Sequence, residues 1–201
     1  MEIRHLFRVS LRTSLVILTG LCIFLAVKAK QIRDQKQAVD AIVAAGGRVS
    51  YDDVINPETL QRVEASRTRR WLSKHIGADY VANVSLITLY PTQEASADEQ
   101  VKMLAGIPYL RNVAIWPGSR RKHTIDSSAP GGLTDEGLRY IADHLPQLRH
   151  LSITGSTVTA QGLECLERLD RLESLQVGGF QDVPVAELDA FLQRNPQLNT
   201  R

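Results

Sequence analysis

The sequence predicts an α/β fold of about four repeated strand–helix units, preceded by a transmembrane helix and a small capping region. Three observations carry this. An aliphatic pattern of the form Leu-x-x-Leu-x-Leu occurs four times between Val84 and Val177. The stretches between those runs repeat as well, with helical rather than strand spacing. Residues 13–27 carry no charge and are followed by a cluster of cations. Apolar residues make up 43% and charged residues 23% of the 201-residue chain, which is ordinary for a globular protein and argues against wholesale disorder or a polytopic membrane protein. Two cysteines, Cys22 and Cys165, are too few for a disulfide scaffold or a four-cysteine zinc site.

Charge is unevenly spread. Residues 1–36 hold seven cations and two anions, a net +5, while the remainder holds 17 cations against 20 anions, a net −3. A basic N-terminus on a mildly acidic body suits a membrane-proximal segment joined to a globular domain. Domain boundaries follow: a basic tail over 1–12, an apolar anchor over 13–28, a juxtamembrane helix and cap over 29–80, and the repeats over 81–201.

As a helix, residues 13–27 rise about 22 Å against a hydrocarbon core of about 30 Å. Arg12 and Lys28 flank the run and can snorkel to the two interfaces. A single-pass anchor is the preferred reading. A cleaved signal peptide is the first alternative, since Val27-Lys28-Ala29 weakly resembles a small-x-small site. A buried core helix is the second, and a lipoprotein site at Cys22 is disfavoured by Leu21 before it. Cation counts on the two sides nearly tie, and the short tail favours a repeat domain outside the cytoplasm, at the inner membrane.

Val39, Ile42 and Val43 recur at helical spacing beyond the anchor, with Ala38, Ala41 and Ala45 beside them. Gly46-Gly47 should stop that helix. Arg48–Tyr51 reads as a short strand. Trp71, Leu72, His75 and Ile76 could line one face of an N-terminal capping helix.

The strand pattern begins at Val84, Leu110, Leu148 and Leu172, so the starts lie 26, 38 and 24 residues apart. Leu198 opens a fifth that is not continued, leaving a polar Asn199-Thr200-Arg201 end. Leu133-Thr134-Asp135-Glu136-Gly137-Leu138 matches Val158-Thr159-Ala160-Gln161-Gly162-Leu163 at an offset of 25. The first unit has Asp98-Glu99-Gln100 and no glycine, and the last has Pro184 in place of threonine. Thr134 and Thr159 are placed to cap the following helices. No unit can bury its own apolar face, so neighbours must stack. The long gap holds an insertion, 117–132, rich in Pro, Gly and Ser and carrying Arg120, Arg121 and Lys122.

On these residues the chain resembles the leucine-rich repeat family, in the variant whose helix opens with a Thr-Asp-x-Gly-Leu motif. It is also similar to a group of bacterial membrane-anchored proteins with a Ser-Leu-Arg-Thr start (here Ser10–Thr13), a helix ending in Gly-Gly, a strand and a few repeats. That resemblance implies a short leucine-rich repeat solenoid and no particular activity.

No catalytic or metal constellation emerges. No His-Glu-x-x-His, Cys-x-x-Cys, Gly-x-Ser-x-Gly or phosphate-loop pattern occurs. His144 and His150 are six apart with Asp143 nearby, but His144 at a helix end is better explained by the helix dipole. Cys165 reads as a small filler on a repeat helix. No cofactor and no nucleic acid are expected, and the protein is read as a non-enzyme.

Strand alternation instead sets three columns on one sheet face: Leu86, Asn112, His150, Ser174; Thr88, Ala114, Ser152, Gln176; and Tyr90, Trp116, Thr154, Gly178. Candidate partner-binding residues are Tyr90, Asn112, Trp116, His150, Ser152, Thr154 and Gln176, with Arg120, Arg121 and Lys122 of the insertion. Exposed aromatics beside arginines have the composition of binding hot spots. The expectation is a non-catalytic module that binds another protein through this face, with membrane lipid contacted by the N-terminal helix. The alternatives are a self-assembling protein stacking through the unfinished C-terminal repeat, and a secreted or periplasmic binding protein.

Overall fold

The structure is a computed structural model. It describes residues 11–52, 61, 64, 66–77, 82–91, 95–107, 109–116, 132–178, 184–196 and 198. The tail before Leu11, most of the insertion, including Arg120, Arg121 and Lys122, and the final Asn199-Thr200-Arg201 lie outside them.

Helix α1 spans Leu11–Ala44, with no break between the apolar run and the stretch that follows. Thr13 to Lys30 is exposed throughout, and α1 is long and apolar enough to cross a membrane. A helix of this kind serves as a membrane span or a signal sequence. Its C-terminal third differs in kind: Ala38, Val39 and Ile42 are buried in the domain core. The boundary expected at residue 28 is therefore a change of surroundings within one helix. Val43 departs from the expected stripe and is 55% exposed, because Ala38, Val39 and Ile42 already fill the narrow face that meets the domain. Gly46 ends the helix with φ 84°, a left-handed conformation that glycine adopts without a Cβ penalty.

The chain then runs β1 (Arg48–Tyr51), α2 (Arg67–Ile76), β2 (Val84–Leu89), α3 (Ala97–Lys102), β3 (Asn112–Ile115), α4 (Asp135–His144), β4 (His150–Thr154), α5 (Ala160–Glu164), β5 (Ser174–Gly178) and α6 (Val185–Arg194). Short 3₁₀ turns, Met103–Gly106 and Cys165–Arg168, extend α3 and α5. The five strands form one sheet in sequence order. β1 is antiparallel to β2, and the remaining pairs are parallel. Parallel neighbours need a crossover, which each intervening helix supplies.

The repeated aliphatics build the core. Ile87 and Leu89, Val113 and Ile115, Leu151 and Ile153, and Leu175 are buried on the inner sheet face. Val101, Leu104, Leu138, Ile141, Leu163, Leu166 and Phe191 come down from the helices, and Leu110, Leu148 and Leu172 close the layer before each strand.

The N-terminal edge of this core is covered by β1 and the end of α1, which packs on the Met103–Gly106 turn. Gly106 permits the approach, since a Cβ there would sit 3.1 Å from the Ala38 Cβ and 3.3 Å from the Asp34 carbonyl oxygen. The capping role expected of α2 is thus taken by α1. Trp71 is 58% exposed and stacks on His75, ring centroids 4.5 Å apart, while Leu72 is half-buried. Six of the ten α2 residues are Arg, Thr, Ser or Lys, too polar for the helix to seal an apolar layer.

The Thr-Asp-x-Gly motif has a specific geometry. Thr134 Oγ1 accepts from the Glu136 N–H, and Thr159 Oγ1 from the Gly162 N–H, so each threonine caps its helix. Each threonine also donates to the preceding unit. Thr134 N–H and Oγ1–H reach the Asp98 carboxylate at 3.0 and 2.7 Å, and Thr159 N–H and Oγ1–H reach Asp135 at 2.8 and 2.6 Å. The glycines make room for this carboxylate. A Cβ at Gly137 would collide with Asp98 Oδ1, and one at Gly162 with Asp135 Oδ1. Gln100 stands at the glycine position of the first unit; it is buried, and its Nε2 donates to the Ala95 carbonyl at 3.5 Å. At the other end Ala160 lacks the carboxylate and Pro184 lacks both donors, so acceptor and donors disappear together.

Candidate functional site

The outer face of the sheet carries the columns read from the sequence. Leu86 pairs with Asn112, Asn112 with His150, and His150 with Ser174; Thr88, Ala114, Ser152 and Gln176 form the next row; Thr154 pairs with Gly178. Tyr90 and Trp116 follow the ends of β2 and β3, and the Trp116 N–H donates to the Leu89 carbonyl at 3.0 Å. Register is fixed because a one-residue slip would drive the buried aliphatics to the solvent side.

These rows line a groove of about 250 Å³, bounded by Leu86, Thr88, Asn112, Ala114, Trp116, His150, Ser152, Ser174 and Gln176. Its lining holds no aspartate, glutamate, lysine or arginine. Trp116 stands at the rim, 41% exposed. Gln176 is exposed, and its amide oxygen accepts from the Ser152 hydroxyl at 3.2 Å, tying β4 to β5. Tyr90 and Thr154 are half-buried.

Asn112 corrects the expectation of an open contact residue. It is 1% exposed, and its Nδ2 donates to the Ser85 carbonyl at 2.7 Å. A short amide on the floor of the sheet reaches the neighbouring backbone more easily than solvent, so its visible role is to join β3 to β2.

His150 is half-buried, with Nε2 enclosed and without a hydrogen-bond partner. Burial lowers its pKa from the ordinary 6.5; Glu173 opposes this and Arg149 adds to it. The ring is thus held toward its neutral form, which keeps the groove uncharged at neutral pH. Strand alternation alone gave no sign that the Nε2 of this histidine is enclosed.

Other candidates fall elsewhere. His144 ends α4, where Nδ1 pairs with the Tyr140 carbonyl at 3.1 Å and the ring stacks on Tyr140. Cys165 is a half-buried free thiol on the helical side. Lys28 is exposed on α1, and Arg12 lies in the first turn of the same helix. Among the described residues no group of three His, Cys, Asp or Glu side chains is arranged to hold a metal ion. No protein-family model matches the chain, and no curated protein matches it.

Proposed function

We propose that this chain is a non-catalytic, membrane-anchored leucine-rich repeat protein that binds another protein through the outer face of its sheet. The observation carrying the proposal is the groove itself: an uncharged, partly apolar surface across four parallel strands, with an exposed tryptophan at its rim. Tryptophan is enriched among residues that dominate binding energy, and uncharged centres suit the desolvated core of an interface. At about 250 Å³ the groove is smaller than the roughly 300–1,000 Å³ of drug-sized ligand sites. It suits a side chain or short segment of a partner better than a whole small molecule.

The family reading rests on the 24-to-26-residue period and on the strand order, in which each unit stacks only on its neighbours. The anchor reading rests on the fully exposed apolar stretch of α1; the short basic tail supports repeats outside the cytoplasm, and the sequence alone supports a part for Arg120, Arg121 and Lys122 in binding. A second reading, self-assembly, draws on the half-burial of Val177 on the last strand, β5, and of Leu198 after α6.

Photocrosslinking in native membranes tests both. A photoreactive residue replacing Thr88 or Gln176 is expected to yield a heterologous protein adduct that is lost with Trp116→Ala, while the same probe at Gln161 on α5 yields none. Adducts with only a second copy, lost with Leu198→Asp and retained with Trp116→Ala, would establish self-assembly and overturn binding through the sheet face.

A further inference from the structure

The membrane helix and the domain meet at a particular height. The apolar run of α1 ends at Val27, and the first side chain of α1 buried by the domain is Gln35. Eight residues of helix rise about 12 Å at ~1.5 Å each. The interfacial layer on each side of a bilayer is about 5–8 Å thick. With α1 unbroken across this stretch and locked to the Met103–Gly106 turn at Gly106, the domain has no slack with which to stand away from a membrane that α1 crosses.

What the domain presents at that height is Tyr109. It follows the 3₁₀ turn, is 47% exposed, and its ring lies 5.9 Å from the Lys28 ammonium, within cation–π range. Lys28 is the first charged residue after the apolar run. Lys30, Arg33 and Lys36 are exposed on the next turns with Asp34 as the sole anion among them, a net +3 from Lys28 to Lys36. Tyrosine favours the membrane–water interface because its ring is apolar and its hydroxyl stays wet. Basic residues at the same level are attracted to anionic headgroups.

We propose that Tyr109 and the basic collar of α1 form a lipid-contacting surface. The Tyr109 ring enters the headgroup layer of an anionic bilayer, and Lys28, Lys30 and Arg33 take the phosphates. The domain is thereby held against the membrane in one orientation. This rests on the reading of α1 as an anchor.

The test uses the full-length protein with Trp71→Phe and Trp116→Phe, reconstituted in nanodiscs with and without phosphatidylglycerol in phosphatidylcholine. Single tryptophans are introduced as Leu21→Trp, Tyr109→Trp or Gln161→Trp, and quenching by lipids brominated near the headgroup or at the bilayer centre is read. Tyr109→Trp is expected to lose most of its emission to headgroup-proximal bromine, more in anionic than in zwitterionic discs. Leu21→Trp should be quenched from the bilayer centre, and Gln161→Trp should be unaffected. Quenching of Leu21→Trp without quenching of Tyr109→Trp would leave the anchor intact and overturn the lipid-contacting surface. Equal quenching of Tyr109→Trp in the two lipids would overturn the anionic-headgroup assignment. If Leu21→Trp is unquenched, the anchor reading and this one fall together.

Discussion

The inter-unit joint at Asp135, Thr159 and Gly162 makes a quantitative prediction about coupling. Asp135→Ala removes two hydrogen bonds to a charged acceptor, from Thr159 N–H and Oγ1–H. Buried bonds of this kind contribute about 1.5–3 kcal/mol each. Here Asp135 is half-buried and Thr159 exposed, so water replaces part of the loss, and a total of about 2 kcal/mol is expected. Gly162→Ala gains roughly 0.5–1 kcal/mol of helix propensity. It also drives a Cβ into the Asp135 carboxylate and to 3.1 Å from Val158 Cγ1. Overpacking of this kind costs about 1–3 kcal/mol, so a net loss of about 1 kcal/mol is expected. In the double variant the carboxylate is gone, and Gly162→Ala should become neutral or stabilising.

The coupling should therefore be about 1–2 kcal/mol in the sense of mutual relief. Denaturant unfolding of the full-length protein in detergent micelles, followed by far-UV circular dichroism, supplies the four corners of the cycle. Asp135→Asn is the control. It keeps the shape, so Gly162→Ala should remain costly on it. Additivity of Asp135→Ala and Gly162→Ala within about 0.5 kcal/mol would refute the idea that the glycine exists to seat the neighbouring aspartate.

Three further predictions concern the α1 junction and the groove. Ile42→Ala should destabilise the domain by about 2–5 kcal/mol and Val43→Ala by under about 0.5 kcal/mol, because Ile42 is fully buried and Val43 faces out; equal effects in the same unfolding assay would mean that α1 is not part of the core. Gly46→Ala should cost about 1–2 kcal/mol for placing a Cβ at positive φ, visible as a lowered melting temperature, with Gly46→Asn milder. For His150, the folded-state pKa lies below 6.5, so the unfolded chain takes up the proton first as pH falls. Its contribution is fully present above the unfolded value, is lost as pH drops from about 6.5 toward the lower folded value, and levels off below it. His150→Gln should flatten that part of the stability–pH profile, and an unchanged slope would show that the ring is not held neutral.

Much of the fold was legible in the sequence because its information is local and repeated. Strand alternation makes inward and outward positions inseparable, so the aliphatic pattern determined the register of β2 through β5 and with it the rows Leu86–Asn112–His150–Ser174 and Thr88–Ala114–Ser152–Gln176. Threonine before a helical run implied a cap whatever lay around it, and Gly46 implied a stop. These follow from backbone geometry and from side chains within a few residues of one another.

What the tertiary structure decided are the meetings between residues distant along the chain. Asn112 belongs to an outward row by alternation, yet its amide reaches the Ser85 carbonyl and closes it away from solvent. Trp71 looked like capping material by composition, but the apolar edge is filled by Ile42, Val39 and Ala38 of α1. The glycine of the Thr-Asp-x-Gly motif makes sense only with the previous unit's aspartate in view, and Tyr109 meets Lys28, 81 residues earlier, only once the chain is folded. Periodicity tells which face a residue is on. It carries no information about which distant surface arrives there, because that depends on how the packed helices and sheet divide the available space.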